Sequence, residues 1–190
     1  MSKTINDKSQ LHQFYTDPKG ASLEKTQYRQ DEHSRRFNAA SPFLILGTHG
    51  DVSPRGDPPG FVKVLDDNTL IIPDRKGNNR FDSMSNILAD PTVALIFLIP
   101  GINEAFGIWG EVEITNDPIL LEPLTINKQN PNSGLLIQVR EAYIHCAKAI
   151  LRSNLWEHEA KQGRLKDEYN TSYEDDIKNA TVEEGREYNK

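Results

Sequence analysis

Two short apolar runs in the middle of the chain favour a β-rich fold. They are Phe43–Thr48, with the sequence FLILGT, and Thr92–Ile99, with the sequence TVALIFLI. Both are too short for a typical helix and are flanked by proline or glycine, so each predicts a buried β-strand. The second run is the more apolar, and we expect it to lie near the centre of a sheet.

Four further segments have strand patterns. Phe61–Leu65 and Thr69–Ile72 are rich in β-forming residues, and the polar residues between them predict a hairpin. Phe106–Thr115 alternates in its second half, which indicates a half-exposed strand, and Leu135–Val139 is the last candidate. We therefore expect a mainly β fold with flanking helices, in which six strands form a small antiparallel barrel rather than a βαβ sheet.

Three segments favour helices. Ser22–Asn38 is highly charged and predicts one or two surface helices, and Asp82–Ala89 predicts a short helix that Pro91 closes. A third helical pattern runs from about Glu141 to His158. Its residues fall on two stripes at helical spacing. One stripe consists of the small residues Ala142, Cys146, Ala149 and Ser153, and the other consists of the larger residues His145, Lys148, Arg152 and Trp156.

Composition narrows the function classes. The chain has 190 residues and a net charge of −6, so we expect one folded domain at 41–160 between an N-terminal arm, 1–40, and a polar tail, 161–190. The acidic balance argues against nucleic-acid binding. The polar start predicts no secretory signal, and no run approaches the ~20 apolar residues of a membrane span, so we expect a cytoplasmic protein.

A single cysteine, Cys146, excludes an intramolecular disulfide, and no Cys/His spacing predicts a metal site. Cys146 follows His145, a pair that suggests a nucleophile. No third group that would orient such a pair is evident, so we favour a buried structural thiol.

Two polar, glycine-containing segments are the candidate site. The second, Pro73–Arg80, places Arg75, Lys76 and Arg80 around Gly77 just before a predicted helix start, which favours a phosphate cradle. A solvated turn is the alternative.

The first segment, Ser53–Gly60, carries Ser53, Arg55 and Asp57 among prolines and glycines. Its pre-shaped backbone favours a functional loop. The alternative is a rigid surface turn with an internal Arg55–Asp57 ion pair.

Several spaced motifs between Phe37 and Trp156 resemble one family. They are SPRGD-x2-GFV, TL-x2-PDR-x-GN-x-R, NI-x3-P, F-x2-PG and HCAKAILRSNLW. In this order they resemble a flavin-binding split-barrel branch of the pyridoxamine 5'-phosphate oxidase superfamily. The resemblance implies a six-stranded antiparallel split β-barrel that forms a homodimer, with flavin mononucleotide (FMN) held between the subunits.

The resemblance also implies which residues bind the cofactor. The backbone at Val62 and Lys63 would flank the isoalloxazine ring, with an exposed strand residue as the alternative for Lys63, and Ser53 and Arg55 would belong to the flavin site. Arg152 would stabilise negative charge at the N1–C2 edge of the ring. The phosphate and ribityl chain would lie near Pro73, Asp74, Arg75, Asn78, Asn79 and Arg80. The pocket would be completed by Lys148, Arg152, Ser153 and Trp156.

Two departures from the family pattern affect the predicted activity. Gly107 and Trp109 occupy positions where the family has arginine and asparagine, and the ending typical of true pyridoxamine phosphate oxidases is absent. We therefore expect an FMN-dependent oxidoreductase acting on a small molecule, and not vitamin B6 synthesis. The alternatives are a non-catalytic flavin- or haem-binding protein and a relative that has lost flavin.

Overall fold

The computed structural model describes residue 5 and residues 7–15, 27–75 and 81–156. The chain divides into two compact units, Met1–Cys146 and Ala147–Lys190, which are described separately. In the described residues of the first unit, the helices α1 to α4 are Lys8–Leu11, Glu32–Ala40, Asp82–Ala89 and Pro118–Leu121. A 3-10 turn, Glu122–Leu124, follows α4.

Seven strands are found in the described residues, against the six predicted. In chain order β1 to β7 are Phe43–Thr48, Asp51–Gly56, Lys63–Val64, Thr69–Asp74, Thr92–Leu98, Ala105–Thr115 and Ser133–His145. They form one antiparallel sheet in the order β2-β1-β5-β6-β7-β4-β3. The mainly β antiparallel fold with flanking helices is thus confirmed.

The seventh strand, β2, corrects the predicted first loop. Residues 51–56 pair with β1, with Ser53 opposite Leu46 and Arg55 opposite Leu44. Pro54 lacks a backbone N–H and therefore suggested a loop. Because β2 is an edge strand, this missing donor costs no hydrogen bond in the sheet interior.

The C-terminal end of the sheet corrects the predicted helix at 141–158. Strand β7 continues to His145, where it pairs with Ala105, and of the described residues 141–156 only Lys148–Ser153 is helical (α5, in the second unit). Tyr143 and Ile144 are aromatic and β-branched, and pairing along the whole of β6 overrides the helical spacing of the small residues. Ala142 is therefore a strand residue, and Cys146 is exposed rather than buried.

The sheet curls around a core formed by its concave face. Leu44 and Leu46 of β1, Phe97 of β5 and Phe106 of β6 are buried there, and Phe37 of α2 covers them. The rings of Phe97 and Phe106 lie 5.6 Å apart and those of Phe37 and Phe106 lie 6.1 Å apart. Burial of this apolar surface is the main source of stability for the barrel.

Gly110 shapes β6. The register with β7 shifts between Trp109 and Gly110, which marks a β-bulge. A side chain at residue 110 would meet the backbone oxygen of Gln138, since a Cβ there would lie only 2.4 Å from it. Strands β6 and β7 can therefore approach closely only because this position is glycine.

Candidate functional site

The two ends of the curled sheet meet at a cluster of four charged side chains. Arg55 Nη1 lies 3.2 Å from Asp74 Oδ1, and Arg75 Nε lies 2.5 Å from Asp57 Oδ2. Arg55 belongs to β2, the first strand of the sheet, and Asp74 to β4, the sixth. We call Arg55, Asp57, Asp74 and Arg75 the closure cluster. It joins the two predicted polar segments, and its ion pairs run between the segments, unlike the internal Arg55–Asp57 pair of the surface-turn alternative.

A serine pair connects this end of β2 with helix α3. Ser83, in the first turn of α3, donates a hydrogen bond to Asp51 Oδ2 at 2.8 Å, and its Oγ lies 3.2 Å from Ser53 Oγ. Asp51, Ser53 and Arg55 alternate along β2, so they share one face of the strand. The start of α3 is thereby fixed next to the closure cluster.

Arg55 has one unused donor. Its Nε is buried and has no hydrogen-bond partner among the described residues. Nearly all buried donors in proteins are paired, and an arginine bonds phosphate and carboxylate oxygens strongly. The closure cluster therefore fits an anionic group such as the phosphate of FMN. Such a group would share the guanidinium groups with Asp74, which pairs with Arg55, and Asp57, which pairs with Arg75.

Three other predicted residues of the first unit, Val62, Lys63 and Pro73, lie on or near β3 and β4. Val62 is buried, Lys63 on β3 is exposed, and Pro73 on β4 is buried opposite Gly134. Asn78, Asn79 and Arg80 lie outside the described residues. Their predicted contacts with phosphate remain predictions.

The C-terminal candidates belong to the second unit. Lys148 and Arg152 are exposed and one turn apart on α5, and Ser153 Oγ donates to the Ile150 carbonyl at 3.0 Å. The helix ends at Asn154, which has a left-handed backbone (φ 50°), and Trp156 follows it half-buried. His145 is in β7, so the predicted stripe of four residues is reduced to Lys148 and Arg152 on one helix.

A groove lies on the convex face of the sheet, opposite the core. Its volume is about 420 Å³, and its polar groups include Tyr143 and His145 of β7. The other lining residues are Ile45, Gly47, Val52, Ala94, Leu95, Ile96, Gly107, Ile108 and Trp109. This groove was not predicted, because the spacing of residues around His145 favours a helix, whereas His145 ends strand β7. Tyr143 and His145 are two positions apart, and this spacing was the sequence signal that they share one face of a strand.

His145 packs against the backbone of β6. A Cβ at Gly107 would lie 2.9 Å from His145 Nε2, so the imidazole occupies space that any larger residue would fill. The rings of Tyr143 and His145 have centroids 4.4 Å apart. Burial lowers the pKa of His145 from its usual 6.5. This burial favours the neutral form of the imidazole.

Two features are absent from the described part of the chain. No group of three or more histidine, cysteine, aspartate or glutamate side chains there could hold a metal ion. No helix there has both the length and the apolar character needed to cross a membrane.

Comparison with known proteins identifies the family. The family model described as pyridoxamine 5'-phosphate oxidase matches residues 30–146, which is most of the chain. No curated protein matches the sequence.

Several solved structures are similar at low identity. HupZ of Group A Streptococcus is 13% identical with a TM-score of 0.48, covering 60% of this chain and 91% of its own. General stress protein 26 of Bacillus anthracis is 15% identical with a TM-score of 0.44, covering 58% and 88%. An FMN-binding protein of Syntrophomonas wolfei is 13% identical with a TM-score of 0.44, covering 58% and 80%. On the family match over residues 30–146, the chain belongs to the pyridoxamine 5'-phosphate oxidase family.

Proposed function

We propose that the protein binds FMN and is a flavin-dependent oxidoreductase acting on a small molecule. The observation that carries this proposal is the closure cluster, which brings Arg55 and Arg75 together from segments far apart in the sheet. The buried, unpartnered Nε of Arg55 gives the cluster capacity for an anionic oxygen. Membership of the family supports a flavin as the ligand.

Bound FMN would supply the redox chemistry, and the protein would bind and orient it. Ser53, Arg55 and Arg75 would contact the phosphate side, together with residues 78–80. This arrangement requires the phosphate to compete with Asp57 and Asp74 for the guanidinium groups. Affinity for FMN should therefore depend strongly on Arg80, a further cation of the segment Pro73–Arg80.

From the family resemblance, we also propose Lys148, Arg152, Ser153 and Trp156 as flavin-binding residues. Lys148 and Arg152 are exposed on one face of α5 and are thus accessible to a ligand. Arg152 would stabilise negative charge on the reduced ring. We further propose that the site is completed in a homodimer, which light scattering on the purified protein would test.

The direct test is a titration of the purified full-length protein with FMN, followed by absorbance near about 450 nm, where the oxidised ring absorbs. We expect Arg80→Gln and Arg75→Gln to weaken FMN binding by about tenfold or more, because each removes a charge-assisted hydrogen bond. Arg140→Gln is the matched control, since Arg140 pairs with Glu111 on the convex face. Failure to bind FMN, or equal weakening by the control, would contradict the proposal.

A non-catalytic flavin- or haem-binding protein is the second candidate. The observation that favours it is β6, where Gly107 has no side chain and Trp109 offers no ionisable group on the convex face. Rapid mixing of the FMN-loaded protein with NADH or NADPH distinguishes the two. Reduction of the flavin supports an enzyme, whereas bound flavin that neither donor reduces supports a binding protein. Addition of haemin tests the haem alternative through its own absorbance.

A further inference from the structure

We propose that residues 27–40, an extended segment followed by helix α2, form a lid that opens while the sheet stays folded, and that closure of this lid supports one side of the proposed flavin site. The opening is argued from contacts within the protein alone. The support of the flavin site rests on the proposed function and therefore has its own test.

The lid buries side-chain amides that have no partner. Gln30 and Asn38 are 2% and 1% exposed, and both polar atoms of each amide lack a hydrogen-bond partner within the described residues. Gln27 Oε1 is buried and unpaired in the same way. Five of the six such atoms in the described part of the chain thus lie in the lid, and the sixth is Arg55 Nε. Each unpaired amide opposes closure, because water bonds to it once the lid opens.

A single large apolar side chain holds α2 on the core. Phe37 is buried there, whereas Ala39 and Ala40 are exposed. The other buried residues of the helix, Ser34 and Asn38, are polar. Helices in proteins are stabilised mainly by packing of an apolar face, so the attachment of α2 is weak. Elements with few buried apolar contacts open before the rest of a protein does.

The amino-terminal side of the lid is fastened by contacts that water can replace. Arg35 forms an ion pair with Asp67, and the two side chains are 40% and 57% exposed. Asn68 Nδ2 donates a hydrogen bond to the Tyr28 carbonyl at 2.7 Å, and the Gln30 N–H donates to the Asp67 carbonyl at 2.9 Å. These three contacts, which we call the latch, join the lid to the turn between β3 and β4.

Two further contacts lie at the ends of the lid. Gln27 exchanges a pair of backbone hydrogen bonds with Ala142 of β7, at 2.8 and 2.7 Å. Ser41, which directly follows the lid, is fully buried, and its Oγ lies 2.7 Å from the Leu98 carbonyl oxygen. Ser41 is therefore the fixed point next to which the lid turns.

The carboxyl-terminal end of the lid lies against the segment that leads from the closure cluster to β3. A Cβ added at Gly60 would lie 3.8 Å from the Ala39 carbonyl oxygen, so the two backbones are close. At the base of the lid, the Asp57 N–H donates to the Pro42 carbonyl at 3.1 Å. Closure of the lid thus holds the backbone just before Val62, which we expect to flank the flavin ring.

Hydrogen exchange of the full-length protein under native conditions, resolved amide by amide with NMR, measures the opening. We expect the α2 amides to exchange at least about tenfold faster than those of β5, which lies inside the sheet and exchanges only on global unfolding. Equal rates in α2 and β5 would overturn the proposal, because the helix would then open only with the whole domain.

Variants test the cause of the opening in both directions. Asn38→Leu replaces an unpaired amide by an apolar group of similar size and should slow exchange in α2 by about tenfold. Gln30→Met should act in the same direction, so either variant is sufficient where the other does not fold. Asp67→Asn weakens the latch and should speed exchange by about twofold. Glu111→Gln is the matched control, since it breaks an ion pair of similar exposure on the convex face and should leave α2 unchanged.

The amide variants also state what would contradict the opening. Exchange in α2 that neither Asn38→Leu nor Gln30→Met slows would overturn the proposal. Faster exchange in both would overturn it as well, because the amides would then have partners that favour closure.

FMN provides the reciprocal test of the second part. If FMN binds only when the lid is closed, FMN at about 100 times its dissociation constant should slow the opening by about 100-fold. Bound FMN that leaves exchange in α2 unchanged would overturn the support of the flavin site by the lid. A protein that binds no FMN, but in which Asn38→Leu slows exchange as expected, would contradict only the proposed flavin function.

Discussion

Arg55 of β2 and Asp74 of β4 form an ion pair at 3.2 Å, although four strands lie between β2 and β4 in the hydrogen-bonded order of the sheet. A flat sheet would hold them more than 20 Å apart, since neighbouring strands are about 4.8 Å apart. The pair therefore marks the place where the sheet curls back on itself. Arg75 and Asp57 repeat the connection between the same two segments.

The first prediction concerns the energy of this closure. The side chains of Arg55 and Asp74 are 23% and 30% exposed, so their interaction is only partly screened by water. In a double-mutant cycle of Arg55→Gln and Asp74→Asn, we expect a coupling free energy of about 1 kcal/mol or more, between the values of exposed and buried pairs. Urea denaturation of the four proteins measures it.

The exposed pair of Arg140 and Glu111 provides the comparison. Its atoms are 2.9 Å apart, but its side chains are 48% and 49% exposed. The same cycle there should give about 0.5 kcal/mol or less. Equal coupling in both pairs would mean that the closure pair contributes no more than a surface ion pair.

The second prediction concerns Gly110 at the bulge between β6 and β7. A Cβ would lie 2.4 Å from the Gln138 carbonyl oxygen, a backbone atom that can move only with its strand. Gly110→Ala should therefore reduce the free energy of unfolding by about 1–3 kcal/mol through overpacking. Gly47→Ala is the matched control, because the nearest atom to its Cβ would be at an ordinary 3.6 Å. We expect a change of about 0.5 kcal/mol or less for the control, and similar losses in both variants would contradict the steric explanation.

Local signals were enough to predict several elements. Strand Phe43–Thr48 and helix Asp82–Ala89 have the predicted bounds, because an apolar run and a following proline act over a few residues. Strand β2 was missed because Pro54 and the nearby glycines indicate a turn. Only the position of β2 at the sheet edge, a property of the whole fold, makes a proline acceptable there.

The site was predictable by residue type but not by pairing. Arg55, Asp57, Asp74 and Arg75 were all singled out, yet the one ion pair considered from the sequence, as part of the surface-turn alternative, joined Arg55 to Asp57. Its actual partner, Asp74, depends on the curl of the sheet, which no local pattern encodes. The convex groove was missed for the same reason, since long-range pairing of β7 with β6 decides that His145 is a strand residue.

The third prediction concerns the start of α2. Asp31 accepts a hydrogen bond from the Ser34 backbone N–H at 2.8 Å and another from Gln27 Nε2 at 2.8 Å, and these bonds, that of Ser34 foremost, lower its pKa. Asp31→Ala should destabilise the protein by about 1 kcal/mol, because the helix loses its N-terminal cap. Asp31→Asn keeps a capping oxygen and should cost much less. Thermal unfolding of the two variants checks this, and equal destabilisation would exclude capping as the cause.

The last prediction concerns His145 and pH. Burial lowers its pKa in the folded protein below the 6.5 of the unfolded chain, so the unfolded state binds more protons at pH values between the two. The contribution of neutral His145 to stability is therefore complete above pH 6.5 and is lost as the pH falls towards the lowered pKa.

Comparison with His145→Gln isolates this effect, because aspartates such as Asp31, which also lose stabilising interactions in acid, are common to both proteins. The free energy of unfolding of the native sequence should fall relative to that of the variant as the pH is lowered from about 7.5 to 5, the range in which histidine titrates. An NMR titration of the His145 ring should give a midpoint below 6.5. A midpoint at or above 6.5, or a stability difference that does not vary with pH, would show that the imidazole is not desolvated in the groove.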